Sequence, residues 1–213
     1  MAGRQRGISL VMALVMTIAL LLIGVSAAEL AWQGEKAARA QRDRHVAFQA
    51  AEAALDDAEK DIQGAAGPSG AARGAQFAPD GAAGFAAACI PPPAPPDGGA
   101  ASESKPDAAR GLLERAALGA TPVWQVVDLS GVEDGGVCSV PFGGFTGAAM
   151  ETGQGFQPFQ RPRYIVERME CHLPGDDASA GAPPRYCYRV TAIGFGAQPA
   201  TQVVLQSVFR RAD

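Results

Sequence analysis

Four cysteines are the residues whose type and spacing predict a specific chemistry in this chain of 213 residues. They are Cys89, Cys138, Cys171 and Cys187, and none of them forms a Cys-x-x-Cys pair. Zinc binding and thioredoxin-type redox chemistry are therefore not indicated. An even number of cysteines downstream of an apolar N-terminal segment is typical of an oxidising compartment. It favours two disulfide bonds, for which three connectivities are possible.

The spacing of the last two cysteines favours one connectivity. Cys171 directly follows one predicted strand, and Cys187 lies near the start of the next. The residues between them, 172–186, contain Pro-Gly-Asp-Asp and Pro-Pro and are typical of a hairpin loop. A Cys171–Cys187 bond across the base of this hairpin is geometrically natural if the two residues face each other. The pair Cys89–Cys138 then remains by elimination.

No arrangement of residues in the sequence predicts catalysis. His45 lies on a charged helical segment, and His172 lies beside Cys171 in the predicted loop. Asp176 and Asp177 lack the alternating oxygen ligands of an EF-hand, and the motifs of serine hydrolases, P-loops and zinc proteases are absent. A net charge of −4 indicates no basic surface for nucleic acid. We therefore predict no enzyme activity, metal, cofactor, nucleic acid or small-molecule substrate.

The C-terminal half is predicted to form the elements that position the cysteines. Residues 164–169 and 186–195 are rich in β formers, and residues 201–209 alternate between two faces. These segments predict three or four antiparallel strands. Before them, residues 111–118 are predicted to form a short helix, and residues 121–128 the beginning of a strand.

A low-complexity connection precedes this half, over residues 64–110. It is rich in glycine, alanine and proline and offers little for a core. Phe77, Phe85 and Cys89 with Ile90 are the expected anchor points. A disulfide from Cys89 would constrain this connection, where a cross-link stabilises most in the chain-entropy account.

A long helix is predicted before the connection. From Glu29 to Gln63 there is no proline and only one glycine, and Gly64 is predicted to end the helix. Phe48, Leu55 and Ile62 recur every seven residues and form one apolar stripe. We predict that this stripe packs on the chain's own head domain. Packing against a partner helix in a bundle is the alternative. Both kinds of packing can occur at different heights along one long helix.

Charge is segregated along this helix. Residues 36–44 carry four cations and one acid, and residues 52–61 carry five acids and one lysine. A solvated helix face is the simplest interpretation. Helices packed side by side with an axial offset, acidic part against basic part, are the alternative.

The N-terminal end contains an apolar run, residues 7–28, without a charged side chain. As a helix this run spans about 33 Å, enough to cross a hydrocarbon core of about 30 Å. A secretory signal peptide has a shorter apolar region of roughly 7–15 residues, although Val25-Ser26-Ala27 resembles a cleavage site. We predict a retained membrane-spanning helix over residues 8–30, continuous with one long helix over 8–63.

The residues before the run, Met-Ala-Gly-Arg-Gln-Arg-Gly, resemble the leader of type IV prepilins, with an ordinary signal anchor as the alternative. The resemblance implies that residues 1–7 are a leader and that prepilin peptidase cuts after Gly7. Ile8 would then be the methylated N-terminus of a retained helix. Most pilins carry a glutamate at the fifth residue after the cut, where this chain has Met12. A carboxylate in lipid is costly unless paired, so its absence favours a minor subunit at the filament tip.

The resemblance extends into the head. Residues 5–14 and 47–55 are similar to the amino-terminal region of PilX-type minor pilins, which also lack the glutamate. Motifs similar to that family's head domain are Pro122–Trp124, Phe142–Gly147, Pro162–Glu167, Tyr188–Ala192 and Val204–Ser207. The implied fold is α+β and pilin-like, with a long N-terminal α-helix and a C-terminal antiparallel β-sheet head domain at residues 111–213. The helix is membrane-spanning in its first half and amphipathic in its second.

The same resemblance implies a role in pilus assembly. The chain would join other minor pilins and the major pilin through its helix, prime assembly in the inner membrane, and lie at the fibre tip beside a tip adhesin. Met12, Phe48, Leu55 and Ile62 are the predicted filament-packing positions. The flanking lysines and arginines slightly favour the opposite orientation, but the cysteines and the resemblance place the head in the periplasm or at the cell surface. A type II secretion minor pseudopilin and a membrane-anchored periplasmic enzyme or binding domain are the alternatives.

Overall fold

The computed structural model describes residues 8–65, 73–78, 84–89, 108–131, 138–153, 155–171, 179 and 185–211. The chain divides into two units, Met1–Arg42 and Asp43–Asp213. The predicted leader, most of the low-complexity connection and most of the loop between Cys171 and Cys187 lie outside the described residues.

Helix α1, Ile8–Gln63, contributes to both units. It ends where the sequence predicts, because Gly64 adopts φ +81°, a left-handed conformation that glycine takes without steric cost. The amide of Gly64 bonds to the carbonyl of Asp61 and that of Ala65 to the carbonyl of Lys60, a Schellman motif that satisfies the last carbonyls of the helix. Within the described residues, one helix is long and apolar enough by length and composition to cross a membrane, over Ser9–Gln63.

The second unit contains a five-stranded sheet. Its strands are β1 (Leu112–Glu114), β2 (Val140–Pro141), β3 (Arg163–Glu170), β4 (Tyr186–Phe195) and β5 (Gln202–Phe209). The order is β1-β3-β4-β5, and β2 also pairs with β3. The β2–β3, β3–β4 and β4–β5 pairs are antiparallel, as predicted, whereas β1 runs parallel to β3 and makes the sheet mixed.

Two short segments differ from the sequence-based prediction. Residues 111–118, predicted to be helical, contain β1, because Leu112 and Leu113 are buried in two different cores. Residues 121–128, predicted to begin a strand, contain a single helical turn, α2 (Val123–Val126). Burial of Val123 in the second core accompanies this turn. In both segments tertiary packing overrides local propensity.

The second half of α1 covers one face of the sheet, as predicted, although Phe48 of the predicted stripe is 39% exposed. Its contact surface includes five alanines that are at most 3% exposed, namely Ala47, Ala50, Ala51, Ala54 and Ala58. Gly194 of β4 lies so close that an added Cβ would stand 2.1 Å from the carbonyl oxygen of Ala47 and 2.4 Å from the nitrogen of Ala51. Small residues on both elements therefore allow the helix and strand backbones to touch.

Both faces of the central strands are buried. The first core joins the end of α1 to the sheet, and its largest side chains include Ile62, Phe77, Leu112, Phe145 and Tyr164. The second core lies on the opposite face and contains Leu113, Val123, Leu129, Ile165, Ile193 and Phe195. Successive strand residues point to opposite faces, so β1, β3 and β4 each supply side chains to both cores.

Candidate functional site

The first unit presents a continuous apolar surface along α1. Its large apolar side chains are between 49% and 71% exposed: Leu10, Val11, Met12, Leu14, Val15, Met16, Ile18, Leu20, Leu21, Leu22, Ile23, Val25, Leu30 and Trp32. An exposed apolar surface of this extent marks a site of contact with membrane or protein. We call it the apolar helix surface.

The polar groups within this surface are satisfied by the helix itself. The hydroxyls of Thr17 and Ser26 each donate to the carbonyl oxygen four residues earlier, at 2.7 and 2.9 Å. Such bonds lower the cost of placing a hydroxyl in hydrocarbon. At the end of the surface, Lys36 Nζ lies 5.1 Å from the centre of the Trp32 ring. Tryptophan and lysine are typical of the boundary between membrane and water.

The predicted processing site lies at the start of this helix. Ile8 is the first residue of α1, and Gly7 lies outside the described residues. Met12 is 63% exposed and places a thioether on the apolar helix surface, at the position where the resemblance described above implies a carboxylate in most relatives. A charged group is therefore missing from the first turns of the described helix.

The other predicted filament-packing positions are divided between surface and core. Phe48 is 39% exposed, Leu55 is partly buried against the first core, and Ile62 is 1% exposed within it. The Ile62 side chain lies in the head's own core, and Phe48 is the most exposed member of the stripe. The filament-packing role of these positions stays a prediction.

Two aspartates of the acidic segment are buried, which corrects the prediction of a solvated face at these positions. Asp57 and Asp61 are each 1% exposed. Arg73 Nε lies 3.0 and 2.9 Å from the two carboxylate oxygens of Asp61, and Tyr164 Oη donates to the same carboxylate at 2.8 Å. Burial, together with the negative charge of Asp61, raises the pKa of Tyr164 well above its usual value. Tyr164 therefore remains a hydrogen-bond donor to Asp61.

Arg73 attaches the low-complexity connection to the head. Its guanidinium lies 3.8 Å from the centre of the Phe145 ring and 5.6 Å from that of Phe77. It also donates to the carbonyl oxygens of Ala108 and Arg110. A buried cation is tolerated only with partners of this kind. One side chain thus holds both ends of the connection against α1.

Asp57 holds a glycine-rich loop against the same helix. Its carboxylate accepts a hydrogen bond from the Gly143 amide at 2.8 Å and another from the Thr146 hydroxyl. Burial raises the pKa of Asp57 above its ordinary value, while these two hydrogen bonds oppose the rise. Gly143 has φ +75°, and an added Cβ there would meet the carbonyl oxygen of Ala148, so glycine is required.

Asp43 makes a third attachment, at the start of the second unit. Its Oδ1 accepts the amide hydrogens of Ala197 and Gln198 at 2.6 and 3.2 Å, in the turn between β4 and β5. Asp43, Asp57 and Asp61 share one helix face with the buried alanines, because Asp43, Ala47, Ala50, Ala54, Asp57 and Asp61 are spaced alternately by four and three residues. This spacing is the signal by which the sequence could have indicated that the three acids face the head, where Asp57 and Asp61 are buried and Asp43 is partly buried.

Two disulfide bonds cross-link segments of the head to one another. They join Cys171 to Cys187 and Cys89 to Cys138, the pairing expected from the sequence, with Cα atoms 5.6 Å apart in each pair. The first closes the base of the β3–β4 hairpin. The second ties the middle of the connection to the residues before β2.

The described residues contain no group of three or more His, Cys, Asp or Glu side chains that could hold a metal ion. His45 is exposed on α1. His172, Asp176 and Asp177 lie outside the described residues. What the described geometry provides is an exposed apolar surface in the first unit and a disulfide-bonded head in the second.

Two protein-family models match the chain, one over its N-terminal helix and one over the head. Residues 6–56 match the family model PilX N-terminal, and residues 95–211 match the model of the type IV pilus assembly protein PilX C-terminal domain. The first match contains the apolar helix surface, and the second contains all five strands. No curated protein and no solved structure matches the chain significantly. The chain belongs to the PilX family of type IV pilus assembly proteins.

Proposed function

We propose that this protein is a minor pilin that takes part in priming type IV pilus assembly, as part of an initiation complex in the inner membrane and at the fibre tip. The observation that carries the proposal is the difference between the two parts of α1. Residues 10–32 expose their apolar side chains, whereas the alanine face of residues 47–58 is covered by the sheet. Such a subunit can exchange lipid for neighbouring helices while its head stays folded.

The exchange of lipid for helices is physical and not catalytic. Lipid tails and apolar side chains are similarly apolar, so moving the apolar helix surface from membrane to fibre changes the hydrophobic free energy little. Specificity must then come from helix packing and from contacts between heads. The partners proposed on this basis are other minor pilins, the major pilin and a tip adhesin.

Placement at the tip is supported by Met12. In most pilins a glutamate at this position neutralises the amine of a neighbouring subunit, and an unpaired carboxylate in lipid is costly. A subunit with no neighbour ahead of it needs no such carboxylate. Met12 is exposed on the apolar helix surface and continues its apolar character.

A periplasmic head is supported by the two disulfide bonds, since such bonds persist in oxidising compartments. Prepilin peptidase would process the chain between Gly7 and Ile8. Mass spectrometry of the mature protein tests this step. We expect an N-terminus at methylated Ile8. An intact Met1, or a terminus near Glu29, would contradict it.

The assembly role is tested by replacing leucine with arginine at either of two exposed positions. Leu21 is 63% exposed on the apolar helix surface, and Leu118 is 95% exposed in the head. Leu21→Arg places a charge near the centre of the run, at a cost of about 2.5–3.5 kcal/mol for insertion. We expect cells carrying Leu21→Arg to make as few fibres as cells lacking the protein. Leu118→Arg should support normal fibre numbers.

The deletion strain separates the proposal from its rivals. If cells without the protein build and retract normal numbers of fibres, the assembly role is refuted. If they keep their fibres but lose secretion of exported proteins, the type II secretion alternative replaces it.

A further inference from the structure

The outer edge of the sheet at β5 is unpaired within the part of the chain that the structure describes. Gln202–Phe209 pairs with β4 over all eight residues, and no other described strand adjoins it. Natural edge strands are usually protected against further pairing by charged residues, proline, bulges or short length. The segment Gln-Val-Val-Leu-Gln-Ser-Val-Phe contains no charge, proline or glycine, and its register with β4 is uninterrupted.

The pairing pattern shows which backbone groups face outward. Residues of an antiparallel pair alternate between hydrogen-bonded and non-hydrogen-bonded positions. Gly196 N–H donates to the Thr201 carbonyl at 2.8 Å, so Thr201 occupies a hydrogen-bonded position. Counting along β5 by twos, Val203, Leu205, Ser207 and Phe209 direct their backbone groups to β4. The amides and carbonyls of Gln202, Val204, Gln206 and Val208 therefore point away from the sheet.

The same residues carry the exposed side chains of the strand. Val204 is 46% exposed and Val208 is 54% exposed. Phe209 packs against the first core, so Val204 and Val208, at odd spacing from it, lie on the opposite face. Between the two valines, the side-chain amide of Gln206 donates a hydrogen bond from Nε2 to Thr191 Oγ1 of β4, at 2.9 Å. The edge thus combines backbone donors and acceptors that point outward with two exposed valines, Val204 and Val208. Gln206 lies between the two valines on the same face of the strand.

We propose that the β5 edge binds an extended segment of another pilus subunit by strand addition. Only an extended backbone offers donors and acceptors with the spacing of these outward groups, and a lipid surface offers none. Apolar side chains at alternate positions of the incoming segment pack against Val204 and Val208. The choice of a pilus subunit as partner rests on the proposed function. The strand-binding chemistry rests on the edge alone.

Proline substitution tests the backbone contribution separately from the side chain. Val204→Pro removes an amide hydrogen that the β4 pairing does not use, and proline is tolerated on edge strands where the amide faces solvent. Val204→Ala removes the same side chain but keeps the amide. Gln202→Pro and Gln202→Ala form a second pair at the first residue of β5, another position that tolerates proline. Retained disulfides and an unchanged melting temperature identify the variants that fold.

The probes are overlapping synthetic peptides that cover the other pilus subunits of the same cells, added to the purified full-length protein in detergent. We expect at least one peptide to bind and to slow hydrogen exchange at the amides of Gln202, Val204, Gln206 and Val208. The proline variants should bind it about tenfold more weakly, and the alanine variants within about threefold of the unsubstituted protein.

Three results would overturn the proposal. The first is binding by no peptide, and the second is binding that both proline variants leave unchanged. The third is self-association of the protein that the proline variants abolish, which would assign the edge to a second copy. These binding results do not depend on fibre counts, so failure here is distinguishable from failure of the assembly role in the deletion strain.

Discussion

The two parts of α1 use side-chain size in opposite ways. Between Leu10 and Trp32 the exposed surface is made of large apolar side chains, whereas the buried face between Ala47 and Ala58 is made of alanine. Large residues thus occur where the helix is available to other molecules. Small residues occur where the helix backbone must approach the protein's own sheet. Apolar character alone does not distinguish the two surfaces, but side-chain volume does.

Ion pairs also differ in exposure, although not strictly by unit, because the paired Lys60 and Asp56 side chains of the second unit are 56% and 63% exposed. The Arg39 and Glu35 side chains pair along the first unit of α1 while 76% and 65% exposed. The Arg73 and Asp61 side chains pair in the head while 0% and 1% exposed. Exposed pairs contribute little to stability, whereas breaking a buried pair leaves an uncompensated charge in the interior. The two pairs therefore allow the comparison to be tested with matched substitutions.

The largest effect is expected at Arg73. Arg73→Ala leaves the Asp61 carboxylate buried without its cation and should lower the free energy of unfolding by about 3–5 kcal/mol. Denaturant unfolding of the purified protein in detergent, followed by tryptophan fluorescence, measures the change. Arg39→Ala is the matched control and should leave the unfolding midpoint unchanged. Equal effects of the two substitutions would contradict the expectation that the buried ion pair contributes more to stability than the exposed one.

A smaller effect is expected from adding a methyl group to a glycine. Gly194→Ala would place Cβ 2.1 Å from the Ala47 carbonyl oxygen, and such overpacking should cost about 1–3 kcal/mol of unfolding free energy. Gly24 has no atom within 4 Å of its added Cβ. Gly24→Ala should therefore not destabilise the protein, because alanine favours helix over glycine. An unaffected Gly194→Ala protein would show that the helix and sheet can separate without cost.

The smallest effect concerns pH. Burial raises the pKa of Asp57 above its ordinary value of 3.8. The contribution of this group to stability is therefore fully present below the unfolded-state pKa and is lost as pH rises through the folded-state pKa. The free energy of unfolding of the wild-type protein, minus that of Asp57→Asn, should fall as the pH is raised above 3.8.

Thr146→Val sharpens the same measurement. The Thr146 hydroxyl bond lowers the pKa of Asp57, so its removal should raise that pKa further and enlarge the loss of stability with rising pH. Denaturant titrations at a series of pH values measure both variants. A pH profile shared by wild type and Asp57→Asn would show that Asp57 does not titrate differently on folding.

Local patterns made much of the head predictable. Strands β3, β4 and β5 are rich in β formers, and β5 alternates between two faces, so each could be located from its own residues. The end of α1 was predictable because a glycine follows the helix directly. The Cys171–Cys187 pair lies across one hairpin, where sequence spacing reflects spatial proximity.

Features that depend on distant partners were not predictable in this way. β1 is a strand because β3, which begins about fifty residues later along the chain, pairs with it in parallel. The acids on α1 looked solvated because their partners are remote: Arg73 bonds Asp61 across 12 positions, and Tyr164 bonds it across 103. A helix face that mixes acids with alanines is ambiguous until such partners are known.

The direct contact between α1 and β4 has a mechanical consequence. Under the proposed assembly role, tension on the protein would act along its helix. In the second unit, that force passes from helix to sheet at several levels together: at the Asp43 hydrogen bonds, at the Ala47–Gly194 contact and at the Asp61–Arg73 pair. Peeling the helix from the sheet in this unit would therefore require all three attachments to be broken.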